Sequence, residues 1–222
     1  MSRRKSRRRR PRKKKSNTKK IVLIVALLAV VAVIIVAYNM LGNDGSSESV
    51  AGSDKVLLET SMGDIIIQLR DDMPITTENF KNLVQEGVYD DTIFHRVIAD
   101  FMIQGGDPTE TGYGDPSIPN IQDELSENAE NRKNVRGTVA MAKKSDPTTG
   151  LVIPNSGSSQ FFINVGDNSK EEFDGTYPVF GEVIEGMDVV DQIAHVATDG
   201  DPPNGANKPL EDVTLIRAQL VE

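Results

Sequence analysis

Eighteen consecutive apolar residues, IVLIVALLAVVAVIIVAY from Ile21 to Tyr38, carry no charge, no Gly and no Pro. Nothing else in the 222-residue chain restricts its fold as strongly. As a helix the run spans about 27 Å at about 1.5 Å per residue, close to the roughly 30 Å hydrocarbon core of a bilayer. A helix packed in a soluble core rarely stays apolar on every face over this length. The run therefore predicts a transmembrane helix over 21–41, with Met40 and Leu41 extending it. A secretory leader has a shorter apolar stretch followed closely by a small-x-small cleavage site. Here the nearest such site, Ser49-Val50-Ala51, lies far past the run, so an uncleaved signal anchor is expected.

Charge fixes the expected orientation. The chain has 25 Lys+Arg and 33 Asp+Glu, a formal net charge of −8. Residues 1–20 hold 13 of the basic residues and no acidic one. Basic flanks stay inside, so this arm is expected in the cytoplasm and the rest of the chain outside. Contact between the arm and anionic lipid is a further expectation. The arm lacks aromatic residues and helical patterning and runs straight into the apolar segment, so no nucleic acid partner is expected. Residues 42–54 are rich in Gly, Ser and Asp and read as a flexible linker. A bacterial cell surface fits the missing Cys and the short anchor, and an endomembrane lumen is the alternative.

From residue 55 to 222, short runs rich in β-branched and aromatic residues alternate with turn signals. Eight candidate strands follow: Val56–Thr60, Asp64–Leu69, Thr92–Ile98, Phe101–Gly105, Val135–Ala142, Ser159–Val165, Val179–Ile184 and Asp212–Val221. Pro74–Glu86 and Asp188–Ala194 have helical period instead, the first with Pro74 suited to its opening turn and Gly87 to its end. The order lacks βαβ alternation. It predicts a mainly β domain, a closed eight-stranded antiparallel barrel capped by two α-helices.

The residue inventory excludes much chemistry. With no Cys there is no thiolate nucleophile, disulfide or Cys-based zinc site, and two isolated His leave little for a metal centre. No phosphate-binding loop, dinucleotide fingerprint, nucleophile elbow or zinc-protease motif is present. The stretch Asp199–Gly205 has the composition of a calcium loop but the wrong spacing, and reads as a solvated turn. What remains is the dense stretch Phe94-His95-Arg96-Val97-Ile98-Ala99-Asp100-Phe101-Met102-Ile103-Gln104-Gly105-Gly106-Asp107. Read alone, Arg96 within it is a structural cation as readily as a functional one.

That stretch closely resembles the signature of the cyclophilin family of peptidyl-prolyl isomerases. Further stretches agree in order: Gly63-Asp64-Ile65, Thr76-Thr77-Glu78-Asn79-Phe80, Met141-Ala142, Ser159-Gln160-Phe161-Phe162-Ile163, and Phe173-Asp174-Gly175 through Val179-Phe180-Gly181. The resemblance covers residues 55–222. It implies a barrel with two capping helices and an isomerase acting on proline-containing polypeptides, with no cofactor and no metal. By resemblance, Arg96 is the catalytic arginine, Gln104 its polar partner, and Phe101, Met102 and Phe162 the wall receiving the proline. His95, Ala142 and Gln160 match positions lining the groove beside that proline. Phe173 stands where Leu is common and Tyr177 where many members have His. Glu172 replaces the Trp of drug-sensitive members, and Lys143–Ser158 is longer than in compact ones. The expected protein is a monomeric membrane-tethered isomerase assisting the folding of exported proteins. A non-catalytic proline-binding docking or chaperone module is the alternative.

Overall fold

The computed structural model describes residues 54–200 and 205–222. The basic arm, the apolar run and all of the linker but Asp54 lie outside the described residues, as does part of the Asp199–Gly205 turn. Among the described residues, no helix is long and apolar enough to cross a membrane.

Strict alternation builds the first hairpin. In β1 (Lys55–Thr60), Val56, Leu58 and Thr60 are buried, and in β2 (Gly63–Leu69) Ile65, Ile67 and Leu69 are. The Thr60 hydroxyl closes the turn, donating to the Gly63 carbonyl at 2.6 Å and accepting from the Met62 N–H at 3.1 Å. Helix α1 (Pro74–Gln85) opens on a proline, whose missing N–H has no helical partner to lose. It buries Thr76, Thr77, Phe80, Leu83 and Val84. Seven strands follow: β3 (Thr92–Ile93), β4 (Arg96–Ile98), β5 (Met102–Gly105), β6 (Thr138–Met141), β7 (Phe161–Asn164), β8 (Val179–Glu185) and β9 (Thr214–Val221). A 3-10 turn at Ala129–Arg132, the single-turn helix α2 (Glu171–Asp174) and α3 (Met187–Ala194) complete the elements.

The strands pair antiparallel in the order β3-β9-β1-β2-β8-β6-β7-β5-β4. This corrects the expected closed barrel of eight strands: the sheet is curled, has nine strands, and its hydrogen-bonded ladder is open between β3 and β4. The cause lies in the segment Thr92–Ile98, expected as one strand. Thr92 and Ile93 pair with β9, whereas Arg96 to Ile98 pair with β5. Between them the Phe94 N–H donates to the Val213 carbonyl at 2.9 Å, and on the free edge of β4 the Val97 N–H donates to the Asn207 carbonyl at 2.8 Å. The chain crosses from one sheet edge to the other here, so two ladders cannot be one strand. The two longer helices fall where helical period predicts them, and α2 is additional.

Inside the curl, Phe80, Tyr89, Phe94, Phe161 and Phe180 gather with Ile65, Ile67, Val97, Ile103, Val139 and Ile163. Phe161 meets Phe80, Tyr89 and Phe94 edge-on, with ring centres 5.4–6.5 Å apart. A second, separate apolar cluster holds Met102, Ala140, Ala142, Phe162 and Val179, with Phe101, Phe173 and Tyr177 packed against it.

Candidate active site

Strand register creates the second cluster. Directly paired residues run Arg96, Gln104, Phe162, Ala140, Val179 across β4, β5, β7, β6 and β8. Opposed residues share one face of a sheet, so these five side chains form a single row. The neighbouring row, Val97, Ile103, Ile163 and Val139, faces the central core. β6 and β7 are therefore buried at every position, which explains their largely apolar character between Thr138 at one end and Asn164 at the other.

Over the outer row lies a cavity of about 350 Å³, lined by Arg96, Phe101, Met102, Gln104, Ala142, Lys143, Ser145, Phe162, Phe173 and Tyr177. Its apolar wall is a ring cluster. Phe173 touches Tyr177, Phe101 and Phe162 at centre distances of 4.6, 6.0 and 6.0 Å, and Phe162 meets Tyr177 edge-on at 5.6 Å. α2 delivers Phe173, and its end is held by the Gly175 N–H donating to Glu171 and by the Tyr177 N–H donating to Phe173, both at 3.0 Å. A smaller cavity of about 50 Å³ adjoins the first, sharing Gln104, Ala142 and Lys143 and adding Gly112, Lys144, Ser156, Ser158 and Gln160.

Arg96 is half-buried and makes no ion pair among the described residues. Burial draws its pKa down from the ordinary arginine value and Tyr177 acts the other way, but a guanidinium stays charged. Its orientation comes from a chain of hydrogen bonds. Arg96 Nη1 donates to Gln104 Oε1 at 3.4 Å, and Gln104 Nε2 to Gln160 Oε1 at 2.9 Å. Gln160 Nε2 then donates to the Gly112 carbonyl at 3.1 Å. The Gly112 N–H is held by the fully buried Asp107 carboxylate at 2.7 Å. Asp107 also accepts from the Thr109 hydroxyl and from the N–H groups of Thr109 and Gly114. Burial pushes its carboxyl up, but these donors outweigh burial and hold it below the usual carboxylate range. Gly106 lets the chain turn from β5 into this loop: its φ is +79°, and a Cβ there would lie 2.8 Å from the Ser159 carbonyl.

The structure gathers nine of the ten residues singled out by sequence around the two cavities. Arg96, Gln104, Phe101, Met102, Ala142, Phe162, Phe173 and Tyr177 line the larger one, and Gln160 lines only the smaller. His95 lines neither. It is 7% exposed, and a Cβ on Gly112 would stand 3.4 Å from its ring. Sequence reading did not single out Lys143, Ser145, Lys144 or Asp107. The length of the Lys143–Ser158 segment was the only signal for the first three, and the aspartate ending the signature stretch was the signal for Asp107. Among the described residues, no group of three or more His, Asp or Glu could hold a metal ion.

A fixed cation beside an aromatic-walled cavity of about 350 Å³, flanked by polar groups, can take an apolar side chain while hydrogen-bonding the backbone that carries it. Comparison with known proteins shows the family. Residues 55–220 match the model of the cyclophilin-type peptidyl-prolyl cis-trans isomerase family. A peptidyl-prolyl cis-trans isomerase of Acinetobacter baylyi is 41% identical over 169 residues, covering 74% of this chain and 84% of that one. Another, from Streptomyces antibioticus, is 42% identical over 173 residues, covering 75% of this chain and 98% of its own. A cyclophilin-type isomerase of Cryptosporidium parvum, solved in the presence of the dipeptide Ala-Pro, superposes with a TM-score of 0.63 at 30% identity, covering 76% of this chain and 99% of that one. The chain belongs to the cyclophilin-type peptidyl-prolyl cis-trans isomerases, and it is an enzyme of that class.

Proposed function

We propose that this protein is a membrane-tethered isomerase that turns X–Pro bonds in exported polypeptides at the outer face of the membrane, with Arg96 as its catalytic group. The observation that carries the catalytic reading is Arg96 itself: a half-buried guanidinium with no carboxylate partner among the described residues, aimed by Gln104 over an aromatic cavity. A purely structural arginine in such a place would need an anion to offset its desolvation.

An X–Pro bond isomerises in tens to hundreds of seconds because resonance stiffens the C–N bond. Reaching about 10–10³ turnovers per second requires about 4–7 kcal/mol of transition-state stabilisation. Twisting the amide breaks its conjugation and turns the prolyl nitrogen into a better acceptor than in either ground state. A guanidinium fixed beside that nitrogen, or beside the adjoining carbonyl, therefore binds the twisted form more strongly than the planar ones, which is the only binding that accelerates the step. A preorganised donor of this kind supplies about 3–4 kcal/mol. Phe101, Met102, Phe162, Phe173 and Tyr177 would hold the ring, and Gln104 with Ala142 the chain beside it. The rest of the peptide then rotates.

The boundaries we propose are a cytoplasmic arm at 1–20, an anchor at 21–41, a linker at 42–54 and the enzyme at 55–222. The Streptomyces relative, nearly all of which is matched, supports the last as a self-sufficient unit. Replacing Arg96 by Ala in the fragment 55–222 is expected to lower kcat/KM on a proline peptide by two decades or more, with an unchanged thermal transition. Near-wild-type turnover in that variant would sink the assignment.

A further inference from the structure

The two cavities form one groove with two chambers, joined along Gln104, Ala142 and Lys143. Its charge contrasts with the surrounding domain. Residues 55–222 contain 30 acidic and 12 basic side chains. Yet the groove is lined by Arg96, Lys143 and Lys144 and by no carboxylate. Glu171 and Glu172 precede Phe173 and Asp174 follows it, but Phe173 lines only the larger chamber.

The two lysines are not equivalent. The Lys143 side chain is 6% exposed, and its ammonium is taken up by Asp123 at 2.6 Å and the Thr176 carbonyl at 3.2 Å. Lys144 is exposed and makes no ion pair among the described residues. Its backbone is nevertheless fixed. The Lys144 N–H donates to Ser156 Oγ at 2.9 Å, and its carbonyl accepts from the Ile153 N–H at 2.8 Å, in a small hairpin bridged between Ser145 and Val152. A rigid loop thus holds an uncompensated cation at the smaller chamber, whose other walls are the polar Ser156, Ser158, Gln160 and Gln104.

We infer that the smaller chamber selects an acidic side chain two residues from the substrate proline, with Lys144 as the specificity-determining residue. This rests on the isomerase reading of the larger chamber. In an extended peptide, side chains two residues apart point the same way and lie about 7 Å apart. A proline seated in one chamber therefore sends its second neighbour to the adjoining one. The net negative charge of the domain repels an acidic peptide at long range, but the Debye length at physiological ionic strength is about 8 Å. Contact with Lys144 decides the preference there.

The test uses the full-length chain in detergent at about 0.15 M salt, and peptides carrying Glu, Ala or Lys two residues before or two residues after a single proline. Both kcat/KM and Kd are measured. At one of the two positions Glu is expected to exceed Lys by about threefold to tenfold, the size of an exposed ion pair gained against a repulsion. The ratio should shrink toward one near 1 M salt and reverse in Lys144→Glu. Glu and Lys peptides equal within twofold at both positions, or a preference that survives Lys144→Glu, overturns the inference. If no peptide is isomerised, the isomerase reading falls while the Kd values still decide the acidic preference.

Discussion

His95 precedes Arg96 in the chain and lines neither cavity. Its ring nitrogens make no hydrogen bond within the protein, although Gln160 lies near enough to favour the charged form slightly. Burial holds its pKa below the ordinary histidine value, with Arg96 and Lys208 adding to that shift and Asp107 opposing it. The folded protein therefore keeps His95 neutral at a pH where the unfolded chain, titrating near 6.5, takes up a proton. Below that pH the unfolded state binds more protons, so stability is present above about pH 6.5 and lost as the pH falls through the folded pKa. One such group contributes at most about 1.4 kcal/mol per pH unit. Denaturant titrations of the fragment 55–222 between pH 7 and 5 should give a shallower loss in His95→Gln than in the parent. Equal slopes would refute the buried neutral histidine. The carboxylates with lowered pKa, Asp72, Asp107, Asp115, Asp146 and Asp191, lose their contribution only below about pH 4, outside this window. At this scale the sequence was informative about identity and silent about connection. Arg96, Gln104 and Phe162 were recognisable by type and order. The chain from Asp107 to Arg96 was not, because it links residues 48 and 56 positions apart that only the sheet brings together.

Among the elements, strands with clean alternation were legible from their residues. β1 and β2 bury every second side chain, and that pattern depends on nothing beyond the hairpin itself. The broken strand at Thr92–Ile98 was not legible, since its two halves differ only in their partners, β9 and β5. Nor was the joint between loops. Asp123 accepts from the Lys143 ammonium and from the Asn155 N–H at 2.9 Å, while its own N–H donates to Asn155 Oδ1 at 2.8 Å. Lys143 continues the link to Thr176. One half-buried pair thus ties the 143–158 segment to the loop before β6 and to the segment bearing Tyr177. Removing one member of such a pair strands the other charge, which costs more than replacing that charge by an apolar group. Asp123→Asn should therefore destabilise the fragment by about 2 kcal/mol, less than a fully buried pair because Asp123 is partly exposed. Lys143→Met should cost under about 1 kcal/mol, since the partly exposed Asp123 keeps the Asn155 N–H as a donor and can be solvated. Hydrogen exchange at the Asn155 N–H should quicken in Asp123→Asn and much less in Lys143→Met. The reverse order of stabilities would show that the pair does not hold the loop.

For the molecule as a whole, the net charge of −8 describes no physical part of it. It sums an arm of +13 at residues 1–20 with an isomerase domain carrying 18 more acidic than basic residues. On the proposed topology these lie on opposite sides of the bilayer, and the membrane potential helps to keep them there. Moving one elementary charge across 100 mV costs about 2.3 kcal/mol, so translocating the arm outward against an inside-negative potential is prohibitive. On the same proposal the absence of Cys has a related consequence: a domain with no thiol would need no disulfide chemistry in an oxidising compartment. The topology makes two joint demands. Carbonate washing should leave the full-length chain in the membrane pellet, and protease added to intact cells or spheroplasts should degrade residues 55–222 while an epitope at residues 1–20 survives. Replacing most of the basic residues of the arm by Ser or Gln should leave the chain membrane-bound but shift a substantial fraction of it to the protected orientation. Release by carbonate would remove the anchor. Complete protection of the domain in intact cells would place the enzyme inside, and its substrates with it.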